Sequence, residues 1–269
     1  MGLIEHELQE GVAVVRFNSP PVNALSQAFF EELARVVAWL EGTAGIRAAL
    51  FTSAFPGVFM AGADLTEFQP AGGAGAPDAE RLRARVWETI GMYHDLFGRI
   101  EALPYPTVAA INGHALGGGC EFSLACDFRL MVDDGRSEIG LPEVRLGLFP
   151  GGGGTQRLPR LIGEARAKEL ILRGWRLKAP EARQIGLVTD LYPAETFADQ
   201  ALDFTRRLAL QATQALAFAK RNVHRSLEVP LSEGLKGEQE DFAAVVVTED
   251  AREGIQAFFE GRKANFRGR

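Results

Sequence analysis

Thr107-Val108-Ala109-Ala110-Ile111-Asn112-Gly113-His114-Ala115-Leu116-Gly117-Gly118-Gly119-Cys120-Glu121 enters as a strand, passes through glycines and leaves as a helix. Residues 107–111 are a short apolar run stopped by Pro104 and Pro106 on one side and glycine on the other, as a buried strand should be. Glycines 117, 118 and 119 punctuate the chain, and the sequence predicts a helix from about Gly118. Upstream, residues 3–8 and 12–17 read as a hairpin around Glu10-Gly11, Ser26 as the N-cap of an amphipathic helix over 29–40, and 46–52 as a buried strand. Residues 69–77 form a Gly/Ala/Pro loop before a long charged helix over 78–103. Downstream, 128–132 is another strand. Strands alternating with helices make an α/β chain. From about Glu195 no strand signal stands out, and helices over 197–210, 212–227 and 232–259 make a second, helical part. The expected division is a core over 1–194 and a helical region over 195–269.

Composition narrows the function. The chain has 269 residues, 46% apolar and 24% charged, a globular balance. A net charge of −6 gives the molecule as a whole no pull toward nucleic acid or an anionic membrane. Its clearest basic stretch, with Arg157, Arg160, Arg166, Lys168, Arg173 and Arg176, is interrupted by Glu164 and Glu169, so a solvated or subunit-facing surface is expected rather than an RNA site. Cys120 and Cys126 exclude a disulfide framework. On a single helix they would stand about 9 Å apart, too far to bridge. The amino terminus has no signal-peptide pattern, and the longest uncharged stretch is broken by prolines and glycines, so a cytoplasmic protein without membrane spans is expected.

Three glycine-rich places could carry chemistry: Phe59-Met60-Ala61-Gly62-Ala63-Asp64-Leu65, the turn before Glu121, and Leu141-Pro142-Glu143 followed by glycines 151 to 154 and Thr155-Gln156-Arg157. None gives G-x-G-x-x-G between strand and helix, a phosphate loop, or a G-x-S-x-G elbow. The four histidines lack metal-ligand spacing, so no metal is expected. At the turn before Glu121, helix-opening N–H groups at Gly118 face outward, a place for an anion. Glu121 falls in the first turn, where a carboxylate also serves simply to balance the helix dipole. Asp64 with Glu67 reads as an N-cap pair.

Several motifs in order resemble the enoyl-CoA hydratase/isomerase (crotonase) superfamily across essentially the whole chain. They are Val22-Asn23-Ala24-Leu25, Ala61-Gly62-Ala63-Asp64, Gly117 to Glu121, Pro142-Glu143, Gly153-Gly154-Thr155-Gln156-Arg157-Leu158 and Phe258-Phe259-Glu260-Gly261-Arg262-Lys263-Ala264-Asn265-Phe266. The resemblance implies a spiral of repeated β-β-α units, a helical carboxy-terminal part and homo-trimers, commonly paired into hexamers. It implies an oxyanion hole at the N–H groups of Ala63 and Gly118, with Glu121 as the base for water and Glu143 as the acid for the α-carbon. An acyl-CoA thioester is the implied substrate, touched by Val22, Ala24, Ala61, Asp64, Leu65, Phe258 and Lys263, with Arg262 also offering charge. Coenzyme A arrives as part of the substrate, and no separate cofactor is implied. Enoyl-CoA hydration is the expected reaction. Isomerisation, a specialised hydroxyacyl-thioester dehydration, and a non-catalytic RNA- or protein-binding role are the alternatives. The sequence departs from the family pattern at Pro20-Pro21 and at Gly261, where many relatives carry a basic residue.

Overall fold

The computed structural model describes residues 2–64 and 79–269. Leu65, Glu67, the 69–77 loop and the start of the long helix at Asp78 lie outside the described residues.

Strands β1 (Ile4–Gln9) and β2 (Val12–Phe17) form the expected hairpin. Ser26 then caps α1 (Gln27–Gly42), its hydroxyl accepting from the Phe29 N–H at 3.3 Å. Strands β3 (Ala48–Ser53) and β4 (Gly57–Met60) precede α2 (Ala79–Glu101). Next come β5 (Thr107–Ile111), β6 (Gly113–Leu116) and α3 (Gly118–Leu124), then β7 (Phe128–Asp133), β8 (Glu138–Gly140) and a 3-10 turn over Glu143–Leu146. Helices α4 (Gly154–Ile162) and α5 (Glu164–Arg173) lead to β9 (Arg176–Lys178), α6 (Ala179–Gln184) and β10 (Asp190–Pro193). Helices α7 (Phe197–Ala209), α8 (Thr213–Arg225), α9 (Leu231–Val245) and α10 (Glu249–Glu260) complete the chain. The single helix expected over 232–259 is thus two. Thr248 breaks it, accepting the Ala251 N–H as N-cap of α10.

From β3 to β8, each pass of the chain sends one strand to a large sheet and the next to a small one. The large sheet runs β1-β2-β3-β5-β7-β10, parallel beyond the first hairpin. The small sheet runs β4-β6-β8-β9. The inner strands β2, β3, β5 and β7 of the large sheet are buried on both faces, which is why they read as largely apolar runs. On β2, Ala13, Val15 and Phe17 join the main core, while Val12 and Val14 join a second cluster covered by Phe197, Ala201 and Ala209 of α7. The main core is aromatic where it meets α3. The Phe122 ring lies edge-on to Phe17 at 5.2 Å and to Phe97 at 5.5 Å between centroids. These rings thereby pin Phe122, the residue next to Glu121. Cys120 and Cys126 are both buried free thiols; Cys126 falls just past the end of α3. Among the described residues no helix is long and apolar enough to cross a membrane.

Candidate active site

Two backbone segments meet beside the start of α3. Residues 22–25 run along residues 61–64: the Ala61 N–H donates to Val22 O at 3.1 Å, the Leu25 N–H to Gly62 O at 2.9 Å and the Asp64 N–H to Leu25 O at 3.4 Å. Asn23, fully buried, fastens the first segment by donating to Ser53 Oγ and to the Phe59 carbonyl. Leu25 and Ala63 form an isolated parallel bridge, and in that pattern the bonds run to the residues on either side, so the Ala63 N–H has no partner among the described residues. A Cβ built on Gly118 would stand 3.7 Å from Ala63 N, and one on Gly62 would stand 3.3 Å from Gly118 N. The Ala63 and Gly118 amides are therefore neighbours. Gly118 opens α3, where an N–H has no partner within the helix. The structure thus brings Val22, Ala24, Ala61, Ala63, Asp64 and Gly118 into one cluster.

Glu121 is in the first turn of α3 and only 3% exposed. Its Oε1 accepts the Gly154 N–H at 2.8 Å, and the Gly152 backbone lies against the same carboxylate and favours its charged form. Burial pushes the Glu121 carboxyl up; the two amides, then Arg157 and His94, work against that. Glu143 begins the 3-10 turn after β8. Its Oε1 lies where a Cβ on Gly117 would meet it at 3.2 Å, so the carboxyl sits against the glycine that caps α3. Burial is the main cause that pushes Glu143 up to about 7; a backbone hydrogen bond at Glu143 itself lowers it, and the nearby Glu121 raises it further. Glu143 Oε2 is buried without a hydrogen-bond partner. A buried acceptor left open beside two open amides is a place for something else to bind.

Phe258 and Lys263 do not join this cluster within the chain. Phe258, 81% exposed, touches the ring of Phe259, and the segment after α10 is tied back by Asp250, Glu253 and Arg47. Arg262 is spent on Glu253 and Glu260, which leaves the Lys263 ammonium without an acidic partner among the described residues. Gly261, where the resemblance led to the expectation of a basic residue, closes α10 at φ 65°, a left-handed conformation that suits glycine. Sequence reasoning picked out the 151–154 glycines but not that Gly152 and Gly154 hold Glu121, nor that Arg157 and His94 stand behind them. Among the described residues no group of three or more His, Cys, Asp or Glu side chains is gathered as for a metal.

A parallel-stranded spiral carrying one buried and one half-buried carboxyl, beside two amides without a partner among the described residues, defines a class of site suited to chemistry through a stabilised anion. The family model described as enoyl-CoA hydratase/isomerase matches residues 7–269. The chain is 35% identical to the short-chain-enoyl-CoA hydratase of Clostridium acetobutylicum, covering 96% of this chain and 94% of that one. It is 36% identical to the 2,3-dehydroadipyl-CoA hydratase of Escherichia coli, over 97% of each. The crystal structure of an enoyl-CoA hydratase from Bacillus anthracis superposes with a TM-score of 0.89 at 37% identity, covering 99% of this chain and 100% of that one. The chain belongs to the enoyl-CoA hydratase/isomerase family and has its crotonase fold.

Proposed function

We propose that the protein is an enoyl-CoA hydratase that adds water reversibly to a trans-2-enoyl-CoA thioester. The observation that carries this reading is the pairing of buried Glu121 with half-buried Glu143, whose Oε2 is buried and open, beside the amides of Ala63 and Gly118, which have no partner among the described residues. The thioester carbonyl oxygen sits between those amides, which take up charge as the enolate forms; one such donor is worth about 10²–10³ in rate. Glu121, which accepts the Gly154 N–H, takes the part of the base in this reading and is drawn ionised. Glu121 takes a proton from the water whose oxygen bonds to the β-carbon. Glu143, held near 7, gives its proton to the α-carbon, and exchange with the next water resets both groups. No cofactor enters beyond the coenzyme A that the substrate carries. The 22–25 and 61–64 segments receive that coenzyme A by backbone contacts, and Phe258 and Lys263, which do not reach the cluster within their own chain, contribute to it from a neighbouring subunit.

The exposed apolar side chains of α9 and α10 support assembly of the chain into trimers or hexamers through residues 195–269. Glu121→Gln and Glu143→Gln should each cut hydration turnover by about 10² or more with the far-UV spectrum unchanged. Water oxygen from labelled solvent should appear in the product. An isomerase would incorporate none and would lose activity only on Glu143→Gln.

A further inference from the structure

The glycine loop over residues 151–154 presents N–H groups to Glu121 on one side, and its carbonyls are gripped from the other. His94 of α2 contacts Gly151 O through Nε2 at 2.8 Å. Arg157 of α4 donates to Gly152 O at 3.4 Å and clamps Glu101 of α2 through Nε at 3.0 Å and Nη2 at 2.7 Å. The Arg157 side chain is only 17% exposed. Its guanidinium fills the space a Cβ on Gly153 would need, and Gly153 itself has φ 108°, so loop and arginine are shaped to each other. The Gly154 N–H that reaches Glu121 also opens the nine-residue helix α4, which aims the positive end of that helix at the carboxylate.

We propose that Arg157, anchored by Glu101, and His94 are positioning residues that hold the 151–154 loop so that its amides fix the Glu121 carboxylate in place, with positive charge behind it. The proposal rests on Glu121 acting as the base. Neither side chain touches the reacting atoms; both act through the loop. The charged and titratable groups facing Glu121 are Arg157 from α4, His94 from α2, the Glu143 carboxyl from the 3-10 turn and the buried Cys120 thiol on α3 itself, with Glu101 behind Arg157. Releasing the loop lets the Gly152 and Gly154 amides drift, and a misplacement on the scale of 1 Å at a reacting group costs about 10²-fold.

Arg157→Gln, Arg157→Lys, Glu101→Gln and His94→Ala can be compared with wild type in hydration of a short enoyl-CoA across pH. Arg157→Gln should lower kcat by about ten- to a hundredfold with KM unchanged, and should move the acid limb of the kcat profile to higher pH. Arg157→Lys should return the limb toward its wild-type position by restoring charge, while kcat stays low because the fork to Glu101 is lost. Glu101→Gln should lower kcat with little movement of the limb. A purely structural role would lower the melting temperature and leave both the limb and the kcat of the folded fraction unmoved, which overturns the proposal. Should Arg157→Gln fail to fold, His94→Ala, at an exposed position, decides: wild-type kcat there also overturns it. A wild-type protein that hydrates no enoyl-CoA sinks the hydratase reading and this inference with it. Hydration by wild type with variants of normal kcat and limb sinks the positioning pair alone.

Discussion

At the scale of single residues, Glu143 makes a prediction about stability as well as rate. Its carboxyl has an ordinary value of 4.5 in the unfolded chain and is pushed up to about 7 in the fold by burial. Below pH 4.5 it is protonated in both states, and its contribution to stability is fully present. Between 4.5 and about 7 the folded state holds a proton that the unfolded state has lost, so stability falls as pH rises through that window. The melting temperature of Glu143→Gln should therefore gain on that of wild type from pH 4.5 to about 7 and level off above it; a constant difference would refute the burial argument. This property could not be read from the sequence. Glu121 in a first turn looks the same to a one-dimensional reading whether it balances a dipole or works as a base. What separates the cases is burial at 3% exposure and amides from Gly152 and Gly154, some thirty residues away in the chain. The two glutamates were named from a pattern of motifs; their environments come from long-range contacts.

At the scale of elements, long or strongly patterned segments were legible and short ones were not. The β1–β2 hairpin, the Ser26 cap, β5, β7 and the start of α3 stand where hydrophobic runs, turn residues and capping chemistry put them. The small sheet went unread. β4, β6, β8 and β9 are three or four residues each, two of them begin with glycine, and they are strands because neighbours pair with them rather than by propensity. That sheet matters to the site, since α3 rests directly on β4. A Cβ on Gly119 would run into the Met60 carbonyl and stand 2.8 Å from Met60 Cβ. Gly119→Ala should force the two elements apart, costing about 1–3 kcal/mol in denaturant unfolding and lowering turnover by displacing the Gly118 amide. Wild-type stability in that variant would show that α3 does not depend on this close approach.

At the scale of the whole molecule, the helical end is unfinished as a single chain. No residue of α9 is buried, and Leu231, Phe242, Val247, Phe258 and Phe259 are each more than two-thirds exposed. Exposed apolar side chains of this kind are what the proposed assembly would bury. Sedimentation of wild type at micromolar concentration should give a trimer or hexamer, and Phe258→Asp with Phe259→Asp should shift it toward smaller species; a stable wild-type monomer would overturn the assembly. The sequence offered the greasy residues but not their exposure, which depends on how the helices fold back on the core. The two buried thiols have a use of another kind. Cys120 lies inside the helix that carries Glu121, Cys126 just beyond its end, and burial pushes Cys126 up to about 12 and Cys120 higher still. A thiol reagent can reach either only when the surrounding core opens, so the labelling rate is a built-in gauge of that opening. Equal rates at both cysteines would mean that α3 opens only with the core. Faster labelling of Cys120 while the far-UV spectrum stays native would mean that it breathes alone.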